Sequence, residues 1–451
     1  MSTSSLSSVL NAASRALMAH QRALEVTAQN VANANVPGYT RQRPEFVRDA
    51  VDGTVDVPQV TRLADPLVAR HLLGAVGEGS YWDTQRTLLE HVEALYGEPS
   101  AGGLAELMDA FWGAWQDLGN DPTNDATRVA VLHRASALAD ALGGLAKDLR
   151  HLQRLVDERV RFTVQQVNDV AARIARLNAD IAGVGEGTTQ GNALRDQRDQ
   201  ALRELAGLLQ VSVVEEGGPS HTVTVLGGGR VLVAGARANP LTTVGTGGPY
   251  KVPAWEADGT PLAVEGGTLA ALLEVRDQVV PAHLAALDDL ASTLITEVNN
   301  VHRTGYGLSG ATGLDFFLGT GAGDIQTNAT LLGDPASVAT AAQPASPGDG
   351  SVALAIYGLR DTATMQGGTV SMDGFYRAHV ATLGAEVQQA RTSAQHREVL
   401  VRHLDQLRQA VSGVSLDEEL TNLVRYQNAY AVSARLVQVV SEAMEYLIHA
   451  L

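Results

Sequence analysis

The strongest constraint on this chain is a pair of breaker-free amphipathic runs at its two ends. Between Ser4 and Ala34 there is no Gly or Pro, and Leu6, Leu10, Ala13, Leu17, Leu24 and Val31 recur in steps of four and three, with His20 and Thr27 in the remaining slots. From Leu416 to Leu451 the same period runs through Leu416, Leu420, Leu423, Tyr430, Ala434, Val437, Met444, Ile448 and Leu451, with Gln427 and Ser441 as polar members. An isolated helix with one apolar stripe is marginal in water, so each end needs a mate. Two seams of similar length predict terminal helices paired as a coiled coil, from which the rest of the chain departs and to which it returns. Val424, Leu436, Val440 and Leu447 are left over on the last helix, as expected of a subunit that completes its core on assembly. With those faces uncovered, the ends are expected to be disordered in the free monomer.

The interior alternates between helical and turn-rich stretches. Asn35-Val36-Pro37-Gly38 stops the first helix, because Pro disfavours the helical state before it and Gly permits a turn. Tyr39 to Val60 reads as extended or loop. Helices are expected over Arg62 to Leu73 and Tyr81 to Leu95, and a short one carries Met108, Phe111, Trp112, Trp115 and Leu118 on one face as core. A long helical region follows from Ala126 to Ile181, with a seam from Leu149 to Ile181, and another helix starts at Asn192. Short β-prone runs near Val211, His221 and Arg230 are punctuated by Gly217-Gly218 and Gly227-Gly228-Gly229. Helical pattern returns over Leu269 to His302 and Met372 to Val411. The fold class is therefore mainly α with an inserted β-domain: a terminal coiled coil (1–45 with 413–451), a long-helix bundle body (46–209 with 268–412, irregular over 304–368) and a small antiparallel β-domain (210–267).

Composition narrows the function. Asp and Glu outnumber Lys and Arg by 50 to 33, a formal charge of -17, which disfavours nucleic acid or an anionic membrane as partner. The absence of Cys removes thiol catalysis, disulfides and Cys-ligated zinc. No apolar run approaches the roughly 20 residues of a membrane span, and the start lacks the pattern of a secretory signal. His151, His302, His396 and His403 are scattered, without the i, i+4 spacing of a helical metal site. Gly183 to Gly187 contains GxGxG but follows a helix rather than a strand, which argues against a nucleotide cradle. Arg195, Asp196, Arg198 and Asp199 read as a solvated ion-pair network, and Glu418 and Glu419 as first-turn acids favouring the helix dipole. Catalytic residues, cofactors and metals are not expected.

Two runs carry a resemblance. Asn30-Val31-Ala32-Asn33-Ala34-Asn35-Val36-Pro37-Gly38-Tyr39 resembles the N-terminal motif of the bacterial flagellar axial proteins of rod, hook and hook-filament junction. Leu423-Val424-Arg425-Tyr426-Gln427-Asn428-Ala429-Tyr430-Ala431-Val432-Ser433-Ala434 looks like their C-terminal motif. The stretches Tyr39 to Gln42, Asn192 to Gln200, Glu297 to Tyr306 and Gly413 to Glu419 are similar to the junction members of that family.

The resemblance implies a non-enzymatic structural subunit of the flagellum, exported unfolded without a cleaved signal peptide and lying outside the cell, against the cytoplasmic location that composition alone suggests. Its expected partners are copies of itself in a helical layer, hook protein, a second junction protein or flagellin on the filament side, and an export chaperone on the C-terminal helix. The alternative is another axial protein of hook or rod type, the rod type with peptidoglycan-cleaving activity. The interface residues carried by the seams and the motifs are Leu6, Leu10, Leu17, Leu24, Asn30, Asn33, Asn35, Pro37, Gly38 and Tyr39, with Leu420, Leu423, Tyr426, Gln427, Tyr430, Val437, Met444 and Ile448.

Overall fold

The computed structural model describes residues 3–48, 54–100, 102–185, 187–215 and 222–449. Gly217-Gly218, His221, Leu451 and the side chain of Ile448 lie outside the described residues. Helix α1 (Thr3–Asn33) leads into the antiparallel hairpin β1 (Gln42–Arg48) and β2 (Val55–Arg62). Three helices follow: α2 (Pro66–Tyr96), α3 (Leu104–Asn120) and the long α4 (Asp125–Val184). After α5 (Thr189–Leu208) come β3 (Val211–Glu215), β4 (Val223–Gly227), β5 (Arg230–Ala234), β6 (Arg237–Ala238), β7 (Leu241–Gly245) and β8 (Lys251–Trp255). Helix α6 (Gly267–Glu274) runs through a π turn, Val275–Val279, into α7 (Val280–His302). Short elements β9 (Phe317–Leu318), β10 (Gln326–Thr327), α8 (Ala329–Gly333) and α9 (Ser351–Gly358) precede α10 (Met372–Ser412) and α11 (Leu416–His449).

The chain forms two compact units, one of residues 1–81, 161–270 and 396–451, the other of 82–160 and 271–395. In the first unit α1 packs along α11 and also against the β1–β2 hairpin. Strands β3 to β6 make an antiparallel meander and β7–β8 a separate hairpin. Two asparagines on α4 hold both sheets. Asn168 exchanges two hydrogen bonds with Leu241, Nδ2 to its carbonyl at 2.8 Å and its N–H to Oδ1 at 2.7 Å, so the side-chain amide stands in for a strand neighbour. Asn178 is fully buried and donates to the carbonyls of Val223 and Gly235 while accepting from Arg198. Burying these polar groups is tolerated because each is paired.

The second unit is built on aromatic packing. Phe111, Trp112, Trp115 and Leu118 of α3 are fully buried, and Phe111 and Trp115 meet Phe316 with ring centroids 6.3 and 5.0 Å apart. Asn299 holds that aromatic pair in place: its Oδ1 accepts from the N–H groups of Phe316 and Phe317 and its Nδ2 donates to the Phe317 carbonyl. One turn later, His302 Nδ1 lies 2.8 Å from the Leu314 carbonyl and Nε2 accepts from the Ala339 N–H, which selects the neutral ring with its proton on Nδ1. The stretch from Glu297 to Tyr306 thus organises the irregular segment after α7. At the π turn, Pro281 cannot donate to the helix ladder, and the wider turn absorbs the gap.

Three readings of the sequence change. The helices expected at Arg62 to Leu73 and Tyr81 to Leu95 are one continuous α2, in which Gly77 serves packing rather than termination: a Cβ there would meet the Ala206 carbonyl of α5 at 3.0 Å. By length and composition α4 is apolar enough to cross a membrane, although its seam from Leu149 to Ile181 is buried core. Tyr39 to Val60 contains a regular hairpin.

Burial holds His302 well below the usual imidazole range, at about 4. Its folded pKa lies under the unfolded value of about 6.5, so the unfolded chain takes up the proton first and stability falls as pH drops through that window. Chemical denaturation at pH 7 and at pH 4 should show a loss on the order of 3 kcal/mol from this residue; His302→Gln should remove about that part of the fall between those values.

Candidate functional site

The junction of the two ends is a buried polar knot. Helix α1 stops at Asn33, where Val36 N–H bonds to the Asn33 carbonyl and Tyr39 N–H to the Val36 carbonyl. Gly38 sits at φ +85°, a backbone state that L side chains rarely adopt, so Pro37-Gly38 turns the chain back toward β1. Asn30, 1% exposed, uses its whole hydrogen-bonding capacity there. Its Nδ2 donates to the Gln42 carbonyl at 2.8 Å and to Glu419 Oε2 at 3.0 Å. Its Oδ1 accepts from the Tyr39 hydroxyl at 2.8 Å and the Gln42 N–H at 3.0 Å.

Around this amide the charges are paired. Arg41 donates through Nε to Glu419 Oε1 at 2.8 Å and through Nη1 to Glu418 Oε2 at 2.6 Å, while its backbone N–H reaches the Ser412 carbonyl. On the other side Asp196 of α5 accepts from the Thr40 N–H and pairs with Arg62 at 2.6 Å, and Asp199 takes the same guanidinium at 2.6 Å. Asn192 donates to Gln42 Oε1 and to the Val60 carbonyl. Burial raises the Asp196 carboxyl in spite of Arg62. Burial, with the negative charges of Asp196 and Glu419, pushes the Tyr39 phenol up to about 12, so it keeps the proton it donates to Asn30.

Three of the sequence motifs therefore meet at one place: Asn30 to Gln42, Asn192 to Gln200, and the start of α11. The reading of Asp196 and Arg198 as solvated is corrected, since both are buried, and Glu419, which does stand in the first turn of α11, is also a buried latch residue. A sign of this was legible: Asn192, Asp196 and Asp199 fall on one face of α5 at spacings of four and three.

The structure separates the expected interface residues into three groups. Asn30 and Tyr426 are buried; Leu6, Leu10, Leu17, Leu24, Asn33, Gly38, Tyr39, Leu423, Tyr430, Val437 and Met444 are half-buried; Asn35, Pro37, Leu420 and Gln427 are exposed. The centre of the α1 seam is rotated from the leucine stripe onto Ala13, Ala19, Ala23, Val26, Thr27 and Asn30. That of α11 falls on Glu419, Tyr426, Ser433 and Val440, seven residues apart. The reason is that α1 covers the hairpin as well as α11, so its contact face bisects the two, and small side chains at the centre allow close approach. Phe46 of β1 fills the angle, its ring 5.7 Å from His20 and 5.7 Å from Tyr426. Val440, expected to face outward, is buried at 5% exposure. What does face outward on α11 is a separate stripe of Leu416, Leu420, Val424, Val432, Leu436, Val439 and Tyr446.

The turn at Val36 to Tyr39 separates two open clefts of about 580 and 500 Å³, lined chiefly by amide and small side chains such as Gln29, Asn33, Gln197 and Gln409. Among the described residues no group of three His, Cys, Asp or Glu side chains is placed to hold a metal ion. The knot has the chemistry of a joint, with the Asn30 amide and the Arg41 and Arg62 ion pairs holding chain segments together. Glu419→Ala should lower the stability of the first unit by about 3 kcal/mol, because it strips a buried partner from Arg41 and Asn30. Glu418→Ala, at an exposed carboxylate, should cost less than about 1 kcal/mol. Hydrogen exchange in α1 and α11 would resolve the two.

Comparison with known proteins gives the same picture along the chain. The family model "Flagellar hook-associated protein FlgK helical domain" matches residues 89–317, just over half of the chain. "Flagella basal body rod protein" matches residues 10–40, and "Flagellar basal body rod FlgEFG protein C-terminal" matches 408–449. The chain is similar to flagellar hook-associated protein 1 of Bacillus subtilis, 27% identical over 98% of both chains. It is also similar to that of Escherichia coli, 25% identical over 98% of this chain and 100% of the relative. The solved structure of the flagellar hook junction protein FlgK from Burkholderia pseudomallei shares the fold, with a TM-score of 0.66 at 17% identity over 76% of this chain and all of that one. Helical domain and ends agree, and the chain belongs to the FlgK family of flagellar hook-associated proteins.

Proposed function

We propose that this protein is an exported, non-enzymatic adaptor that assembles by its terminal helices into a layer between hook and filament, outside the cell. The observation that carries this is the outward stripe of α11, whose members are between 45% and 79% exposed although all seven are large and apolar. A monomer has no use for such a line of side chains, and burying each against a neighbour contributes about 1.5–3 kcal/mol. The stripe lies within the segment that matches the C-terminal model of the rod proteins, so the ends are read as the part common to axial assembly. In this reading residues 1–45 with 413–451 form the assembling stalk, 46–209 with 268–412 the surrounding body, and 210–267 an outer β-domain. The partners follow: further copies of this chain, hook protein on one side, a second junction protein or flagellin on the other. An export chaperone covering the stripe of α11 would keep it from aggregating before assembly.

Two measurements test the proposal. Leu420→Glu combined with Val432→Glu and Leu436→Glu should leave the monomer's circular dichroism unchanged and its stability within about 0.5 kcal/mol per site, since these are surface positions. The same variant should fail to add to isolated hook ends, and addition at the wild-type level would overturn the proposal. In the free monomer, hydrogen exchange should be slowest around Asn30 and Glu419 and should speed up toward residues 3 and 449, where the stalk awaits its neighbours. Uniform strong protection to both termini would contradict ordering on assembly.

A further inference from the structure

Away from the stalk, in the second unit, three side chains from three helices bring their polar atoms to one point. The Tyr96 hydroxyl at the end of α2 lies 3.1 Å from His283 Nδ1 of α7 and 2.9 Å from His379 Nε2 of α10. The two ring nitrogens are themselves 2.8 Å apart. This triangle holds more close approaches than hydrogen bonding can use. An imidazole nitrogen either donates or accepts along one in-plane direction, and Tyr96 has one hydroxyl proton, so the trio satisfies two edges and leaves a third pair in contact. Three convergent donor atoms with one surplus edge are arranged to share a single electrophile. Sequence spacing hides the group, because its members are 187 and 96 residues apart.

We propose that Tyr96, His283 and His379 form a three-donor facial site for a divalent transition-metal ion. The edges decide the coordination geometry. Bonds of about 2.1 Å at right angles place neighbouring ligand atoms about 3.0 Å apart, as on one face of an octahedron. Tetrahedral bonds of that length, as zinc prefers, would place them about 3.4 Å apart. The observed 2.8, 2.9 and 3.1 Å match the octahedral face. Two imidazoles favour nickel, cobalt or iron over magnesium or calcium. Binding needs each ring to carry its proton on the far nitrogen, Nε2 of His283 and Nδ1 of His379, and Tyr96 to ligate as phenolate, its hydroxyl proton passing to solvent, so one proton leaves per ion bound.

The surroundings suit the role. His283 and Tyr96 are buried, while His379 is partly exposed, so an ion would enter from the His379 side. The rings are held before any ion arrives: Phe375 stacks on His379 at 6.5 Å, and Tyr376 stacks on Tyr96 at 6.4 Å while donating to Glu98. Burial, and the neighbouring His379, keep His283 at about 4, and burial lowers His379 too, so both are neutral and ligand-competent at pH 7. An ion here would tie α2, α7 and α10 together inside this unit.

The test uses the full-length, tag-free chain stripped of metal with chelator. Isothermal titration with Ni²⁺ and Co²⁺ should show one strong site per chain and a raised unfolding temperature, with no response to Mg²⁺. His379→Gln, at a partly exposed position, should keep the wild-type circular dichroism and weaken Ni²⁺ binding about tenfold or more. Tyr96→Phe should weaken it as well, and Co²⁺ bound to the wild type should give the weak visible absorption of a six-coordinate ion. Absence of Ni²⁺ binding at millimolar concentration, or unchanged binding by His379→Gln, would overturn the proposal.

Discussion

The first unit depends on one side chain, the amide of Asn30. With two donors and two acceptors all engaged, it joins the last turn of α1 to the start of β1, to Tyr39 and to Glu419 of α11. Three of these points lie within 12 residues of one another and the fourth is 389 residues away, and one side-chain amide fixes them all. A carboxylate would lack the donors, and an apolar residue would leave the Gln42 backbone unpaired in a buried place. The ion pairs about it, Arg41 with Glu418 and Glu419 and Arg62 with Asp196 and Asp199, extend the joint onto α5. Their net contribution to stability is smaller than their number suggests, because removing charges from water offsets most of the attraction. They hold Arg41 against α11 and Arg62 against α5.

Polar pairing is used in the same way elsewhere. Asn168 and Asn178 give the inserted strands a hydrogen-bonded seat on α4, and Asn299 seats the Phe316–Phe317 pair after α7. In each case a helix offers an amide to backbone at a strand end, where Val223 opens β4, Leu241 opens β7 and Phe317 opens β9, so a group that the ladder leaves over is paired. The apolar surfaces do the opposite. Those of α3 are spent inside the second unit, and α4 buries its seam from Leu149 to Ile181 although Leu155 and Phe162 stay exposed, while the outer line of α11 is left in solvent. A rigid joint and an uncovered face on the same terminal element fit a subunit whose position is set by its own chain and whose last contacts come from neighbours.

Much of this architecture was legible. The long helices α4, α10 and α11, the turn at Pro37-Gly38, the β-prone insertion and the aromatic face of α3 all follow from periodicity and punctuation. The flagellar axial motifs at the ends agree with the family to which the chain belongs. What escaped was the angular position of each seam. Leu6, Leu10, Leu17 and Leu24 mark an apolar side of α1, but a period of 3.5 cannot say whether the centre of contact lies on that stripe or one residue away, on Ala23 and Asn30. Likewise the charges of α5 have the same spacing whether they meet solvent or an arginine arriving from β2.

Sequence by itself determined which segments are helical, which face of each is apolar, and that the two ends require mates, because these depend on neighbours within a turn or two along the chain. Tertiary structure alone decided that Asn30, Asp196 and Glu419 meet, that Val440 is buried while Val432 is not, and that Tyr96, His283 and His379 converge. Those outcomes depend on contacts between residues 96 to 389 positions apart, where burial, not spacing, decides whether a polar group is solvated or must be paired.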